Sequence, residues 1–249
     1  MKSLVALSAL VLAYTCGSTQ MKETPSEAVA VGGPEGVKAK ITEVTSVNDD
    51  AFTNSDKIGA LMDYLASDEL QGRDSGSEGI EMAAAFIEKA FQVNGIQPYY
   101  RTYRDTLSNF EKVSYNIVGM VEGSDPVLKN EYILIGAHYD HIGMIKPENG
   151  DAIANGANDN ASGTTSVMEF ARYFGNAKTN KRSLIFALFS AEEKGLLGSK
   201  HLAKRLKEEN LNLYAMLNFE MTGVPLQGKD YEVYITGYEM SNLAEVSNT

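Results

Sequence analysis

The stretch YILIGAHYDHIG, at residues 132–143, joins a fold-determining strand to the side chains of a candidate site. Its first six residues form a short, continuous and largely apolar run, which is typical of a strand buried on both faces beneath covering helices. Two of the chain's three histidines and one aspartate follow, at His138, His141 and Asp140. A His-x-Asp sequence occurs often by chance, so its meaning depends on what the rest of the chain supplies.

Two further runs of the same kind follow, SLIFALF at 183–189 and YAMLNF at 214–219. Apolar residues at helical spacing occupy the segments between the runs, at Val167, Phe170, Ala171 and Phe174, and at Leu197, Leu202 and Leu206. Alternating strands and helices predict an α/β fold, a three-layer sandwich with a mostly parallel central sheet covered by helices. In such sheets the ligand site lies beyond the carboxyl ends of the strands.

Two helices are predicted upstream of this core. The first begins after Asn54 and Ser55, both good capping residues, and its apolar face holds Ile58, Leu61, Met62 and Leu65. The second has an apolar stripe at Ile80, Ala84, Ile87 and Phe91, with Ser75 and Glu78 as a capping box and Gly95 as the stop. ITEVTSV at 41–47 is interpreted as a first strand or extended lead-in, and YEVYITG at 231–237 as a late strand followed by a new helix.

The composition limits the classes of protein that this chain can be. With 249 residues, 43% of them hydrophobic, the chain can bury one substantial core and is not disordered as a whole. Its 33 acidic and 22 basic residues give a net charge of -11, which argues against nucleic acid or an anionic membrane surface as the main partner. A single cysteine excludes an internal disulfide.

The N-terminus has the layout of a bacterial export signal. Lys2 precedes the apolar stretch LVALSALVLAY, which is too short to span a bilayer, and Cys16 follows among small residues. We predict a lipoprotein-type signal peptide over 1–16 with a lipid anchor at Cys16; an ordinary signal peptide is the alternative. Either way the protein is exported, to the periplasm or outer membrane. Residues 17–50 are predicted to be a tether and residues 51–249 the folded domain.

Acidic and imidazole side chains follow each of the three predicted buried strands. They are His138 and Asp140 after the first strand, Glu192 and Glu193 after the second and Glu220 after the third, and the loop NGANDNASG adds Asp159. Carboxylates gathered at one sheet edge repel one another unless cations neutralise them. Imidazole together with carboxylate oxygen suits zinc or a similar metal. Asp140 is placed to orient the ring of His138, and one of the adjacent glutamates is free to take a proton.

Four motifs, AHYDHIG, NGANDNASG, FSAEEKGLLGS and MLNFEMTG, occur in an order that resembles the co-catalytic zinc aminopeptidase family. That family includes bacterial leucyl aminopeptidases, and its relatives include glutamate carboxypeptidases and glutaminyl cyclases. The stretch LASDELQGRDSGSEG at 65–79 is similar to one that precedes the catalytic core in many bacterial members. The resemblance covers residues 65–223 and implies a sandwich of the zinc exopeptidase type.

The resemblance assigns a role to each candidate residue. It implies that His138 and Glu220 bind one zinc, that Glu193 binds the other, that Asp159 bridges both, that Asp140 orients His138 and that Glu192 is the general base. It also implies a cis peptide bond between Asp159 and Asn160. The implied reaction is the hydrolysis of N-terminal residues from peptides by metal-activated water, with a substrate pocket partly formed by the loop 142–158, including Met144, Ile145 and Pro147.

Two features depart from the family pattern. Asn158 stands where many members have aspartate. The family also supplies a histidine from a loop well downstream to complete the ligands of the zinc at Glu193, and this sequence has no residue that matches it. His141 is predicted to have a loop or supporting role, and His201 to lie on the surface of a helix. We therefore expect a chain truncated at its C-terminus, with an incomplete fold and a poorly bound second zinc.

Two alternatives to the aminopeptidase remain open. One is a one-zinc enzyme similar to glutaminyl cyclase, which closes an N-terminal glutamine instead of hydrolysing a peptide. The other is a lipid-anchored binding module of the same fold without catalysis. Retention of Glu192 and Asp159 speaks against the binding module, because such a module has no use for a general base.

Overall fold

The computed structural model describes residues 52–229, 233–237, 239, 242 and 245. The predicted signal peptide, tether and first strand, at 1–16, 17–50 and 41–47, lie outside the described residues and stay predictions. The helix predicted after residue 237 falls almost entirely outside them as well.

Helices and strands alternate along the chain, as the sequence predicts. The helices of the described part are α1 Ser55–Leu65, α2 Glu78–Val93, α3 Ser162–Ala177 and α4 Leu197–Glu208. The strands of that part are β1 Gln97–Pro98, β2 Arg104–Thr106, β3 Tyr115–Val121, β4 Tyr132–His138, β5 Gly143–Glu148, β6 Asp151–Ala154, β7 Ser183–Phe189 and β8 Leu213–Asn218. Shorter turns of other helical types span Asp68–Arg73, Leu128–Asn130 and Ala157–Ala161.

The central sheet has the strand order β1-β3-β7-β4-β8, with β2 also paired to β3. Strand β4 pairs in parallel with both β7 and β8, whereas β3 pairs antiparallel with β7, β1 and β2. The predicted α/β sandwich is confirmed, and its sheet is mixed: it is parallel in the half built from the three apolar runs. Helices α3 and α4 supply the crossovers that parallel neighbours require. The carboxyl ends of β4, β7 and β8 therefore meet at one edge.

Helices cover both faces of the sheet. Alternate residues of β7 belong to different cores: Leu184, Phe186 and Leu188 pack on one face, and Ile185, Ala187 and Phe189 on the other. The first face carries the larger core, which includes buried residues of α1, α2 and α3. The second face is covered by Leu202 and Leu206 of α4. Because every residue of β7 is buried, the strand reads as a continuous apolar run in the sequence.

Side-chain caps fix where the first two helices begin. Asn54 accepts a hydrogen bond from the Lys57 amide at 3.0 Å, as its predicted capping role requires. The prediction that Ser75 caps α2 is wrong: Ser77 precedes the helix and accepts from the Ile80 amide at 3.3 Å. Ser75 lies outside the helix, fully buried, and its hydroxyl is taken by Asp140. Gly95, at φ +72°, follows the helix end as predicted.

Further differences from the sequence analysis concern strands. The third apolar run was predicted to be buried on both faces, but β8 ends the described sheet and has no buried residue, so that part of the prediction is wrong. Strands β1, β2 and β3 were not predicted, and the predicted loop at 142–158 contains the antiparallel hairpin of β5 and β6. Within YEVYITG, residues 233–237 form no strand.

None of the helices in the described ranges has the length and apolar character needed to span a bilayer.

We expect Ser77→Ala to lower the free energy of unfolding by about 1 kcal/mol, because the first turn of α2 loses its side-chain acceptor. Urea denaturation measures the change. Ser77→Asp is the matched control, since it keeps an oxygen acceptor at the cap and should lose much less stability. Equal losses in the two variants would contradict the capping role.

Candidate metal centre

His138 ends strand β4 with its ring almost fully buried. Its Nδ1 lies 3.2 Å from the main-chain oxygen of Asp140, so in the neutral ring Nδ1 donates to that oxygen and Nε2 carries the lone pair. Nε2 lies 3.2 Å from Asp159 Oδ1, yet it is a buried atom without a hydrogen-bond partner among the described residues. A buried imidazole nitrogen in this state is suited to binding a metal ion.

Asp140 connects the end of β4 to the turn after β7. Its fully buried carboxylate accepts hydrogen bonds from the Glu192 amide at 3.1 Å and the Glu193 amide at 3.3 Å. It also accepts from the Ser75 hydroxyl at 3.1 Å, and its Oδ1 lies 3.7 Å from His138 Nδ1. Asp140 therefore positions the imidazole and both glutamates together.

Three buried serines extend this network, and the sequence analysis did not predict them. Ser75 Oγ accepts from the Ala191 amide at 2.9 Å and lies 3.1 Å from Ser190 Oγ, which lies 2.6 Å from Ser114 Oγ. Hydroxyl groups can donate and accept at once, so the chain of contacts satisfies each buried group without adding charge. The only sequence signal is that Ser75 belongs to the stretch at 65–79.

Asp159 lies in the turn that leads into α3. The peptide bond between Asp159 and Asn160 is cis, as predicted. The side chain of Asn160 holds this turn against the end of β8, because it donates to Phe219 O at 3.0 Å and accepts from the Met221 amide at 3.1 Å. Asn158 accepts from the Gly223 amide at 3.0 Å, so the asparagine that departs from the family pattern ties the same two segments together.

His141, Asp159 and Glu193 form the one group of three in the described residues whose possible ligand atoms all lie within 4.8 Å of one another. His141 Nδ1 lies 2.8 Å from Glu193 Oε1. The sequence analysis favoured a loop or supporting role for His141, whereas the structure brings its ring into the ligand group. Gly156 makes this approach possible: at φ +61°, a Cβ there would lie 2.6 Å from the His141 ring.

The prediction that His201 lies on the surface is wrong, although its position on a helix is right. The ring is largely buried, with Nε2 3.3 Å from Oδ1 of the buried Asp105. Its Nδ1 lies 3.2 Å from Ser108 Oγ. These contacts tie α4 to strand β2 and are separate from the ligand group.

Glu192 and Glu220 flank the group. The pKa of Glu192 is raised above its ordinary value, chiefly by burial; the charge of His138 opposes the shift, and the charges of Glu220, Asp140 and Glu193 add to it. Glu220 is exposed and is not part of the group of three, but its effect on Glu192 brings its charge into the same site. The predicted ligand role of Glu220 stays a prediction.

His138 and Asp159 have opposite pKa shifts. Burial lowers the pKa of His138, but contacts with Asp140 and Asp159 and the charges of Asp140 and Glu192 outweigh burial and raise it to about 10. The contact with His138 lowers the pKa of Asp159. Without a metal, the imidazolium therefore neutralises part of the carboxylate charge.

The donor set fits zinc. It offers one buried imidazole nitrogen without a partner at His138, a second imidazole at His141, and carboxylate oxygens on both sides of them. Nitrogen and oxygen ligands in this combination suit zinc, whereas calcium and magnesium prefer oxygen alone.

Comparisons with known proteins agree with this chemistry. The family model described as Peptidase family M28 matches residues 116–248, just over half of the chain. A probable leucine aminopeptidase from Arthroderma otae is 31% identical over 188 residues, which are 71% of this chain and 47% of the relative. A probable zinc metalloprotease from Pyrenophora tritici-repentis is 41% identical over 108 residues, 43% of this chain and 24% of the relative.

Solved structures share the fold. The Legionella pneumophila LapA aminopeptidase gives a TM-score of 0.54 at 26% identity, covering 81% of this chain and 50% of that one. A glutaminyl cyclase from Bacteroides thetaiotaomicron gives 0.55 at 17% identity, covering 69% of this chain and 63% of that one, a likeness of fold alone. The chain spans less than half the length of the two curated relatives above.

We expect zinc binding at about pH 7.5 to release about one proton, because a ligating imidazole must be neutral and the pKa of His138 without metal is about 10. Zinc affinity should accordingly rise with pH up to that value. Calorimetric titration in buffers of different ionisation enthalpy measures the proton. A heat that does not depend on the buffer would contradict the protonated state of His138, and His138→Gln should release less.

Proposed function

The chain belongs to Peptidase family M28, and on that premise we propose that the protein is a zinc-dependent aminopeptidase that removes N-terminal residues from peptides. The observation that carries the proposal is the meeting of Asp159, Glu193 and two histidines beside Glu192 at one sheet edge. Exopeptidase action on peptides is inferred from relatives named as aminopeptidases.

We assign two zinc positions that share Asp159. His138 and Asp159 belong to one position, where Glu220 is the further predicted ligand, and His141, Asp159 and Glu193 belong to the other. The sequence analysis left the second position without a nitrogen ligand, and His141 supplies one. Zinc held here would act as a Lewis acid on the scissile carbonyl and would lower the pKa of water.

Glu192 is the proposed general base. Its carboxylate accepts a proton from the attacking water and returns it to the leaving amine. Burial raises the pKa of Glu192, which brings the group closer to the range in which one carboxyl can serve as base and then as acid. The carboxylate of Asp140 positions the backbone of Glu192, and its main-chain oxygen orients the ring of His138, the proposed metal ligand at the end of β4.

The hairpin of β5 and β6 is the proposed contact surface for the substrate side chain. It begins two residues after His141, and Met144 and Ile145 expose 61% and 41% of their surface. Exposed apolar side chains beside a polar centre suit an apolar N-terminal residue. Pro147 lies on the same hairpin.

We also propose export with a lipid anchor at Cys16. Support comes from the sequence of residues 1–16 alone: a basic start, a short apolar segment and a cysteine among small residues. The proposed location is the periplasm or outer membrane.

Glu192→Gln should lower the hydrolysis of aminoacyl-nitroanilides by roughly 10²–10⁴-fold, because the amide cannot take the proton from water. Zinc content, measured by mass spectrometry, should stay at the wild-type level. Glu208→Gln, an exposed change on α4, is the control and should keep full activity. A chelator should abolish wild-type hydrolysis.

Other outcomes of this assay identify the two alternatives. Cyclisation of glutaminyl peptides without hydrolysis favours the glutaminyl cyclase-like enzyme. Hydrolysis that is unaffected by both the chelator and Glu192→Gln contradicts the zinc aminopeptidase. A wild-type protein with no hydrolytic activity also contradicts it and favours the binding module.

His141→Gln should reduce zinc content from about two ions per chain to about one, because the second position loses its nitrogen ligand. Metal analysis after dialysis against a weak chelator measures the content. His201→Gln is the matched control: it also removes a histidine paired with a carboxylate, but outside the ligand group. Equal zinc contents in the two variants would contradict the assignment of His141.

A further inference from the structure

Among the described residues, Arg73 is the largest fully buried side chain, with 1% of its surface exposed. It belongs to the stretch at 65–79, to which the proposed reaction gives no role. A buried guanidinium is costly unless its donors are satisfied. Arg73 forms no ion pair within 4.0 Å in the described part of the chain, so main-chain oxygens must satisfy it.

Four main-chain carbonyls accept hydrogen bonds from the Arg73 guanidinium. Nε donates to Tyr139 O at 2.9 Å, Nη2 to Gly156 O at 2.9 Å, and Nη1 to Asn155 O at 2.7 Å and also to Leu65 O. Planar donors in a fixed fork can hold several acceptors in one geometry, which a lysine cannot do.

Three of the acceptors lie on two of the three segments that carry the ligand group, those of His141 and Asp159. Tyr139 stands between His138 and Asp140, and Gly156 stands three residues before Asp159. The main-chain oxygen of Arg73 itself accepts from the His141 amide at 3.2 Å. One residue thus sets the distance between two backbone segments that reach it from 66 and 83 residues away in sequence.

The backbone around Arg73 is packed too closely to adjust. Gly72 has φ +66°, and a Cβ there would lie 2.5 Å from Ala154 O and 2.7 Å from Gly143 O. The turn of Asp68–Arg73 therefore lies directly against both ends of the hairpin formed by β5 and β6. A guanidinium fixed to this turn has little freedom to move.

The positive charge of Arg73 should lower the affinity of the site for a metal ion, whereas its hydrogen bonds should raise that affinity by holding the ligands in place. Burial lowers the pKa of Arg73 to about 10, and the charges of Asp140 and Asp159 oppose that shift, so the group is positive at neutral pH. A positive charge near the ligands repels zinc. A benefit of Arg73 to zinc binding must therefore come from the position of the backbone it holds.

We propose that Arg73 is a positioning residue that sets the spacing of His138, His141 and Asp159 for zinc by holding the carbonyls of Tyr139, Asn155 and Gly156. The inference rests on the proposed zinc function. It accounts for the arginine in the LQGRDSG segment, which forms no ion pair with any carboxylate of the described residues.

The test compares Arg73→Lys and Arg73→Met with wild type in the full chain. Zinc affinity, measured by competition with a chromophoric chelator, should fall about 10- to 100-fold in both variants, as for other residues that orient metal ligands. The visible spectrum of the cobalt-substituted protein should shift as well, because the ligand geometry changes. Arg73→Met discriminates most sharply, since an effect of charge alone would make zinc bind more tightly.

Arg172 provides the matched control. It is another buried arginine, paired on α3 with Glu169 at 3.0 Å and hydrogen-bonded to the Phe52 carbonyl. Arg172→Lys and Arg172→Met should lower the melting temperature without changing zinc affinity or the cobalt spectrum.

Each result decides between the proposal and its failure. Wild-type zinc affinity in the Arg73 variants, or tighter binding in Arg73→Met, overturns the positioning role while the proposed function stands. A wild-type protein that binds no zinc overturns both. If the Arg73 variants do not fold, Gly72→Ala displaces the same turn, and wild-type zinc affinity in that variant overturns the proposal.

Discussion

The buried carboxylate of Asp140 is the interaction on which the site depends. It receives the amides of Glu192 and Glu193 and the hydroxyl of Ser75, and it lies behind the ring of His138. A buried carboxylate is costly unless hydrogen-bond donors satisfy its oxygens. By satisfying this one group, the fold brings the end of β4, the turn after β7 and the turn before α2 into a single arrangement.

Charge balance is the second constraint on this edge of the sheet. Carboxylates of Asp140, Glu192, Glu193 and Glu220 act on one another there: burial is the main cause of the raised pKa of Glu192, and the charges of the other three add to it. In the metal-free protein, the protonated His138 and the buried Arg73 offset part of that charge. Zinc would replace the proton on His138 but would be repelled by Arg73, so the arginine is better explained by the backbone it holds.

The mixed sheet separates the tasks of its two halves. Strands β4, β7 and β8 are parallel, so their carboxyl ends deliver ligand-bearing turns to one edge. Strands β1, β2 and β3 join the sheet through antiparallel pairings and extend it away from the site. The match to Peptidase family M28, at residues 116–248, includes all three parallel strands and the turns that follow them.

The sequence by itself determined the three strands of the parallel half, the four helices and the set of acidic and imidazole residues that follow those strands, because apolar periodicity and strand-end chemistry are local patterns. Only the tertiary structure decided that Ser77 caps α2, that His141 faces Glu193, that His201 is buried and that Arg73 holds two turns. Those outcomes depend on contacts between segments 52 to 96 residues apart, among them the hydrogen bond from Ser75 to Asp140, which occupies the hydroxyl predicted to cap α2. Periodicity along the chain carries no information about which distant group a polar side chain will meet.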